Sequence, residues 1–151
     1  MRWELNLDPK HKKTKITIEA QALTEDIQKL TTYIDQLANT IMVQNKDGQK
    51  EIHILDIVYI ESIERKTFIY SLKNMYEIEA PLYEMEEKLQ AFSFMRINKQ
   101  TIMNPRHVEA VKALLNSRYE LSMASGEKLI VTRHYRASFK SLFDKGGIYH
   151  A

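Results

Sequence analysis

The chain has 151 residues, 44% of them apolar, which suits a single domain with a sizeable core. It contains no cysteine, so disulfides and thiolate metal sites are excluded. The net charge of +2 is polarised: residues 46–95 carry 6 basic and 10 acidic side chains, whereas residues 96–151 carry 10 and 4, so one half is suited to a polyanion.

Residues 2–7 alternate, with Trp3, Leu5 and Leu7 on one side, which predicts a strand ended by Asp8-Pro9. The basic run Lys10 to Lys15 is either an arm that touches nucleic acid or a solvated loop. It leads to a second short strand at Ile16-Thr17-Ile18. Thr24 has the chemistry of a helix N-cap, followed by Glu25 and Asp26 where they suit the helix dipole. Ile27, Leu30, Ile34 and Leu37 then recur at helical spacing. This strand-strand-helix unit, residues 1–40, is too small to hold its own core. It must pack on the rest of the chain, cover a sheet edge, or serve dimerisation or partner docking.

From Thr40 short strands alternate with turns. Ile41 and Val43 lead to Asp47-Gly48, a hairpin signal. Residues 56–62 hold a nearly continuous apolar run, Ile57 to Ile60, as in a strand buried on both faces. Ile63 to Thr67 reads as a polar loop, and Phe68–Leu72 and Met75–Ile78 as a hairpin. Pro81 suits the first position of a helix whose Leu82, Met85 and Leu89 share one stripe. Phe94 to Val108 is a basic strand-turn element containing Arg96, Lys99, Arg106 and His107. Strands follow at Val108–Leu115, Tyr119–Met123 and Lys128–Val131. Thr132 is positioned to cap a last helix carrying Tyr135, Phe139, Leu142 and Phe143, which Gly146-Gly147 would stop.

The chain has no Gly-rich phosphate loop, no G-x-S-x-G and no H-E-x-x-H, and its histidines lack metal-ligand spacing. No enzyme, cofactor or metal is expected. The longest apolar run, Ile52 to Ile63, is broken by Asp56 and Glu61 and is too short to span a bilayer. There is no secretion signal pattern. The expectation is a soluble, cytoplasmic protein without direct membrane insertion.

Five stretches occur in a telling order: D-I-V-Y-I-E-S at 56–62, Thr67–Leu72, L-Y-E-M-E-E-K-L at 82–89, F-M-R-I-N-K-Q-T-I-M-N at 94–104, and G-E-K-L-I-V-T-R-H-Y at 126–135. Together they resemble the LytTR DNA-binding domain, the output module of bacterial transcription regulators, across residues 41–145. The resemblance implies a mainly β fold with short helices (α+β), an elongated stack of small antiparallel β-sheets. It implies sequence-specific binding of double-stranded promoter DNA by loops in successive grooves, without a recognition helix. It also implies which residues meet DNA. The first loop supplies Arg65, Lys66 and Thr67. The middle motif supplies Arg96, Asn98, Lys99 and Gln100, and the last supplies Thr132, Arg133 and His134. Asn98, Gln100 and His134 depart from the commonest family pattern, which bears on base preference. Arg96 has a second reading, an ion pair with Glu84 or Glu87. Residues 1–40 are too short for a receiver domain, so the expectation is a stand-alone regulator, a homodimer, with a membrane-bound regulatory protein as a possible partner. Residues 146–151 would form a C-terminal tail. Two other readings remain open: a protein-interaction module without DNA binding, and a small β-rich ligand-binding domain.

Overall fold

In the computed structural model, described over residues 1–144, the chain forms three antiparallel sheets and three α-helices. Helix α1, Glu25–Ala38, begins where Thr24 Oγ1 accepts the Ile27 N–H at 3.3 Å, with Glu25 and Asp26 in its first turn. Strands β1 (Thr40–Asn45) and β2 (Gly48–His53) form a two-stranded sheet. Its two-residue turn is Lys46-Asp47, and Gly48, which follows the turn and pairs with Asn45, takes a positive φ of 117°.

The largest sheet holds β3 (Ile57–Ile63), β4 (Lys66–Ser71), β5 (Met75–Ile78), β6 (Met95–Asn98) and β7 (Thr101–Met103). Its spatial order is β5-β4-β3-β7-β6, so β3 is central. Ile57, Val58, Tyr59 and Ile60 are all buried, because β3 is covered on both sides. Ile57 and Ile60 join one core with the stripe Leu82, Met85 and Leu89 of α2 (Leu82–Leu89). Val58 and Tyr59 join a second core. That core is built with β8 (Val108–Leu114), β9 (Arg118–Met123), β10 (Lys128–Val131) and Phe139 of α3 (Arg136–Asp144). Each apolar side chain of the α2 stripe contributes about 1.5–3 kcal/mol by leaving water, which fixes the helix despite its short length.

Several expectations need correction. Residues 2–7 and 16–18 form no strand, and the front unit is a helix preceded by an extended segment. Alternation specifies which face a strand would bury, not that a partner is present, and in the single chain Trp3, Leu5 and Leu7 stay exposed. Ile63 to Thr67 is not a loop. Ile63 pairs with Lys66, so Glu64 and Arg65 alone make a two-residue hairpin turn, with φ of 50° and 68°. Both left-handed residues are what the twist of a tight hairpin demands, and neither is glycine. Pro81 is the N-cap of α2 rather than its first residue. A 3-10 turn, Arg133–Tyr135, intervenes between Thr132 and α3. Gly146-Gly147 and the tail lie outside the described residues.

The joint between α1 and the sheets was not legible in the sequence. Gln36 and Asn104 are fully buried. Gln36 Nε2 donates to the Phe92 carbonyl (3.0 Å) and to Asn104 Oδ1 (2.9 Å), while Asn104 Nδ2 donates to Gln36 Oε1 and to the Ile57 carbonyl, each at 2.9 Å. Both amides thereby have every polar atom partnered, which is the condition for burying them without large cost.

Candidate nucleic-acid interface

One end of the large sheet gathers three turns. The β3–β4 turn carries Arg65 at its tip, the β6–β7 turn carries Lys99 and Gln100, and the segment after β10 carries Thr132, Arg133 and His134. Backbone and side-chain hydrogen bonds join them. The Ser62 N–H donates to the Gln100 carbonyl at 2.8 Å, bringing the first two turns side by side. Asn98 Nδ2 donates to the Ile130 carbonyl (2.9 Å), and the Thr132 N–H donates to the Ile97 carbonyl (3.0 Å), which brings up the third. Between the second and third lies a shallow concavity lined by Glu61, Asn98, Lys99, Gln100, Lys128 and Thr132, among others.

The side chains divide into those that present themselves and those that hold the frame. Arg65, Lys66, Lys99, Gln100, Arg133 and His134 are exposed. Lys66 has an acidic neighbour, Glu77 Oε1 at 3.7 Å, and His134 sits edge-on to Tyr135 with ring centroids 4.8 Å apart. Asn98 is a brace: its Oδ1 accepts the Gln100 N–H at 2.9 Å, shaping the turn, while its amide reaches Ile130. Arg96 is a brace too. Its guanidinium donates to the Lys99 carbonyl (3.0 Å) and pairs with Glu86 at 3.4 Å. The acidic partner is therefore Glu86, not Glu84 or Glu87: Glu86 lies on the half-buried flank of α2, whereas the other two face solvent. Thr132 Oγ1 lies 3.5 Å from the Ile97 carbonyl and makes no capping bond. Thr67 is 3% exposed and points into the fold, so it is removed from any contact surface. It lies one step into β4, and period-two alternation turns it inward while Lys66 turns out.

Glu61 lies in the floor of the concavity. Burial first, then the nearby Glu127 carboxylate, raises its pKa above the ordinary carboxylate value. Both effects oppose its charged form. Beside it Tyr59 and Tyr70 stack at 4.3 Å, and burial, the larger cause, raises both phenols. Sequence reasoning passed over Glu61; its place at a basic turn cluster needed the β3–β7 register, which pairs it with Thr101.

Among the described residues, no group of three or more His, Asp or Glu is placed to hold a metal ion, and no helix is long and apolar enough to cross a membrane. The remaining sequence candidates, Arg106 and His107, lie elsewhere. Arg106 stacks over Tyr33 of α1, 4.6 Å from the ring centroid. His107 Nε2–H donates to the Leu55 carbonyl, and burial holds its pKa below the ordinary histidine value.

Small antiparallel sheets that bring basic turns to one end suit a module that binds DNA. The family model of the LytTr DNA-binding domain matches residues 47–144, and the chain belongs to that family. It is similar to the sensory transduction protein LytT of Bacillus cereus, 30% identical over 129 residues, covering 85% of this chain and 48% of that one. The transcriptional regulatory protein LytR of Staphylococcus aureus strain N315 is 30% identical over 94 residues, covering 60% and 38%. The chain thus spans about half or less of the length of these curated relatives. Among solved structures, the LytTr DNA-binding domain of a putative methyl-accepting/DNA response regulator from Bacillus cereus matches with a TM-score of 0.62. It is 26% identical and the match covers 69% of this chain and 95% of that one.

Proposed function

We propose that this chain regulates bacterial transcription by sequence-specific binding of promoter DNA, with its three turns entering successive grooves of the duplex. The observation that carries this reading is the convergence of the turns through the Ser62–Gln100, Asn98–Ile130 and Ile97–Thr132 hydrogen bonds. Rigid spacing between cationic tips suits a repeating polyanion, because each phosphate contact then forms without ordering a flexible loop. Arg65, Lys66, Lys99 and Arg133 supply phosphate contacts. Gln100 is the best placed reader of a base edge, since its amide is exposed and can pair bidentately with adenine. His134, exposed beside Arg133, contributes a further polar contact. Asn98, Thr132 and Arg96 act through the turns they hold.

A homodimer in the cytoplasm, controlled by abundance or by a membrane-bound regulatory protein, completes the proposal. Support for a protein partner is the exposed apolar side chains of residues 1–37. The test is a mobility-shift titration on the protein's own upstream region, comparing wild type with Lys99→Ala and Arg133→Ala at several salt concentrations. Specific binding should fall steeply with salt, and each variant should shallow the log–log slope by about one. Variants that bind like wild type would remove the site assignment, and the absence of any specific band for wild type would remove the function.

A further inference from the structure

Residues 1–23 lie outside the three turns assigned to DNA. Their large apolar side chains lack cover: Trp3 is 83% exposed, Leu5 68% and Leu7 85%, and Ile16 and Ile18 are also exposed. Apolar residues at every second position make one face of a strand. Yet neither stretch joins any of the three sheets, nor does one pair with the other, within the single chain. The segment instead turns locally at Asp8, whose carbonyl accepts the His11 N–H at 3.0 Å.

The order of charges says what the missing cover is. Residues 2–8 read R-W-E-L-N-L-D. Laid antiparallel on an identical copy about Leu5, Leu5 faces Leu5, Trp3 faces Leu7 on both sides, Glu4 faces Asn6, and Arg2 faces Asp8 at both ends. All large apolar side chains then share one face, and opposite charges close the ribbon. Centring instead on Glu4 sets two carboxylates opposite each other, and centring on Asn6 sets Glu4 against Asp8. Residues 15–19, K-I-T-I-E, have the same property about Thr17: Ile16 faces Ile18, and Lys15 faces Glu19.

We infer that the partner is a second copy of this chain, with residues 2–8 of the two copies paired antiparallel about a two-fold axis at Leu5. Residues 15–19 pair likewise about Thr17. Each ribbon has one apolar face, and a lone two-stranded ribbon is marginal in water. Joined by residues 9–14, the two ribbons stack face to face at about the 10 Å spacing of packed sheets, each covering the other. The inference rests on the homodimer proposed above and names the element that makes it. A self-complementary patch is what a two-fold interface requires.

The test uses the full chain in sedimentation velocity at micromolar concentration. Wild type should sediment as a dimer. Leu5→Lys, which sets two ammonium groups across the axis, should weaken self-association by at least roughly tenfold. Arg2→Asp should weaken it less, and Arg2→Asp with Asp8→Arg should restore it. Because the chain has no cysteine, Leu5→Cys should give a disulfide-linked dimer on mild oxidation, since facing residues of an antiparallel pair lie within disulfide reach. Lys88→Cys, exposed on α2, should not. The helical part of the circular dichroism spectrum should be unchanged in the Arg2, Leu5 and Asp8 variants, as these residues lie outside the three helices. A monomeric wild type overturns the inference, and so does a dimer indifferent to Leu5→Lys. The DNA-binding reading fails separately: a dimer that binds no DNA sinks that reading and leaves the pairing intact. A monomer that binds DNA does the reverse.

Discussion

The turns Asn98-Lys99-Gln100 and Asn104-Pro105-Arg106 are near copies of one device in opposite surroundings. In each, an asparagine side-chain oxygen accepts the N–H two residues on, at 2.9 Å and 3.1 Å, while the amide reaches a carbonyl of another strand. In each, basic side chains follow closely. The first turn projects from the end of the sheet and exposes Lys99 and Gln100. The second is sealed beneath α1, with Asn104 fully buried, Arg106 stacked on Tyr33 and His107 bonded to Leu55. One motif thus serves as a presenting surface or as an internal joint. What decides is whether another element packs on it, and here that element is α1 through Gln36.

Breaking the buried copy should have the largest effect. Asn104→Ala leaves the Gln36 amide, the Ile57 carbonyl and the Arg106 N–H without this partner, and should cost about 2–4 kcal/mol in chemical denaturation. The equivalent change at the exposed copy, Asn98→Ala, should cost about 1 kcal/mol of stability, because water can replace its bonds. It should nevertheless weaken DNA binding, because the turn loses its shape. Equal stability losses at the two sites would refute the contrast. Lys99→Ala should leave stability within about 0.5 kcal/mol and reduce DNA affinity by roughly three- to tenfold. Arg65→Gly sharpens the same point from the neighbouring turn. Glycine relieves a left-handed residue, so the variant should be about 0.5–1 kcal/mol more stable yet bind DNA less well. The smallest effect is on pH. His107 is depressed in the folded state, so below the ordinary histidine value the unfolded chain takes up the proton more readily. Stability should therefore decline as pH falls through and below about 6.5. His107→Gln, which keeps a donor for Leu55, should flatten that decline in melting curves measured from pH 7.5 to 5.

The same pair shows what sequence could and could not reveal. The hairpin announced by Asp47-Gly48, the doubly buried β3 and the stripe of α2 were all readable, because periodicity and turn chemistry are local. The order of the five motifs pointed to the right family. Side-chain roles were less readable. Arg96, Asn98 and Thr132 look like contacts on paper, but their partners Glu86, Ile130 and Ile97 lie on other elements. Thr67 became buried once the expected loop proved to be a two-residue turn. Gln36 stood on a helix as one polar residue among many, and only its neighbours at Phe92 and Asn104 make it a core residue. At residues 2–7 the alternation was real, but a strand also needs a neighbour, and the isolated chain supplies none.

The position of β3 has a kinetic consequence. Its residues enter both apolar cores, Ile57 and Ile60 on one side, Val58 and Tyr59 on the other, and its ladder is flanked by β4 and β7. Neither core can open alone without stripping one face of this strand. Its amide protons should therefore exchange with deuterated water only through whole-domain opening, at rates tracking global stability. The amides of Arg65 and Lys99, a few residues away along the same sheet, should exchange in seconds. A molecule built this way keeps its slowest and fastest backbone within one sheet, so the groups offered to a ligand can adjust while the strand behind them stays closed.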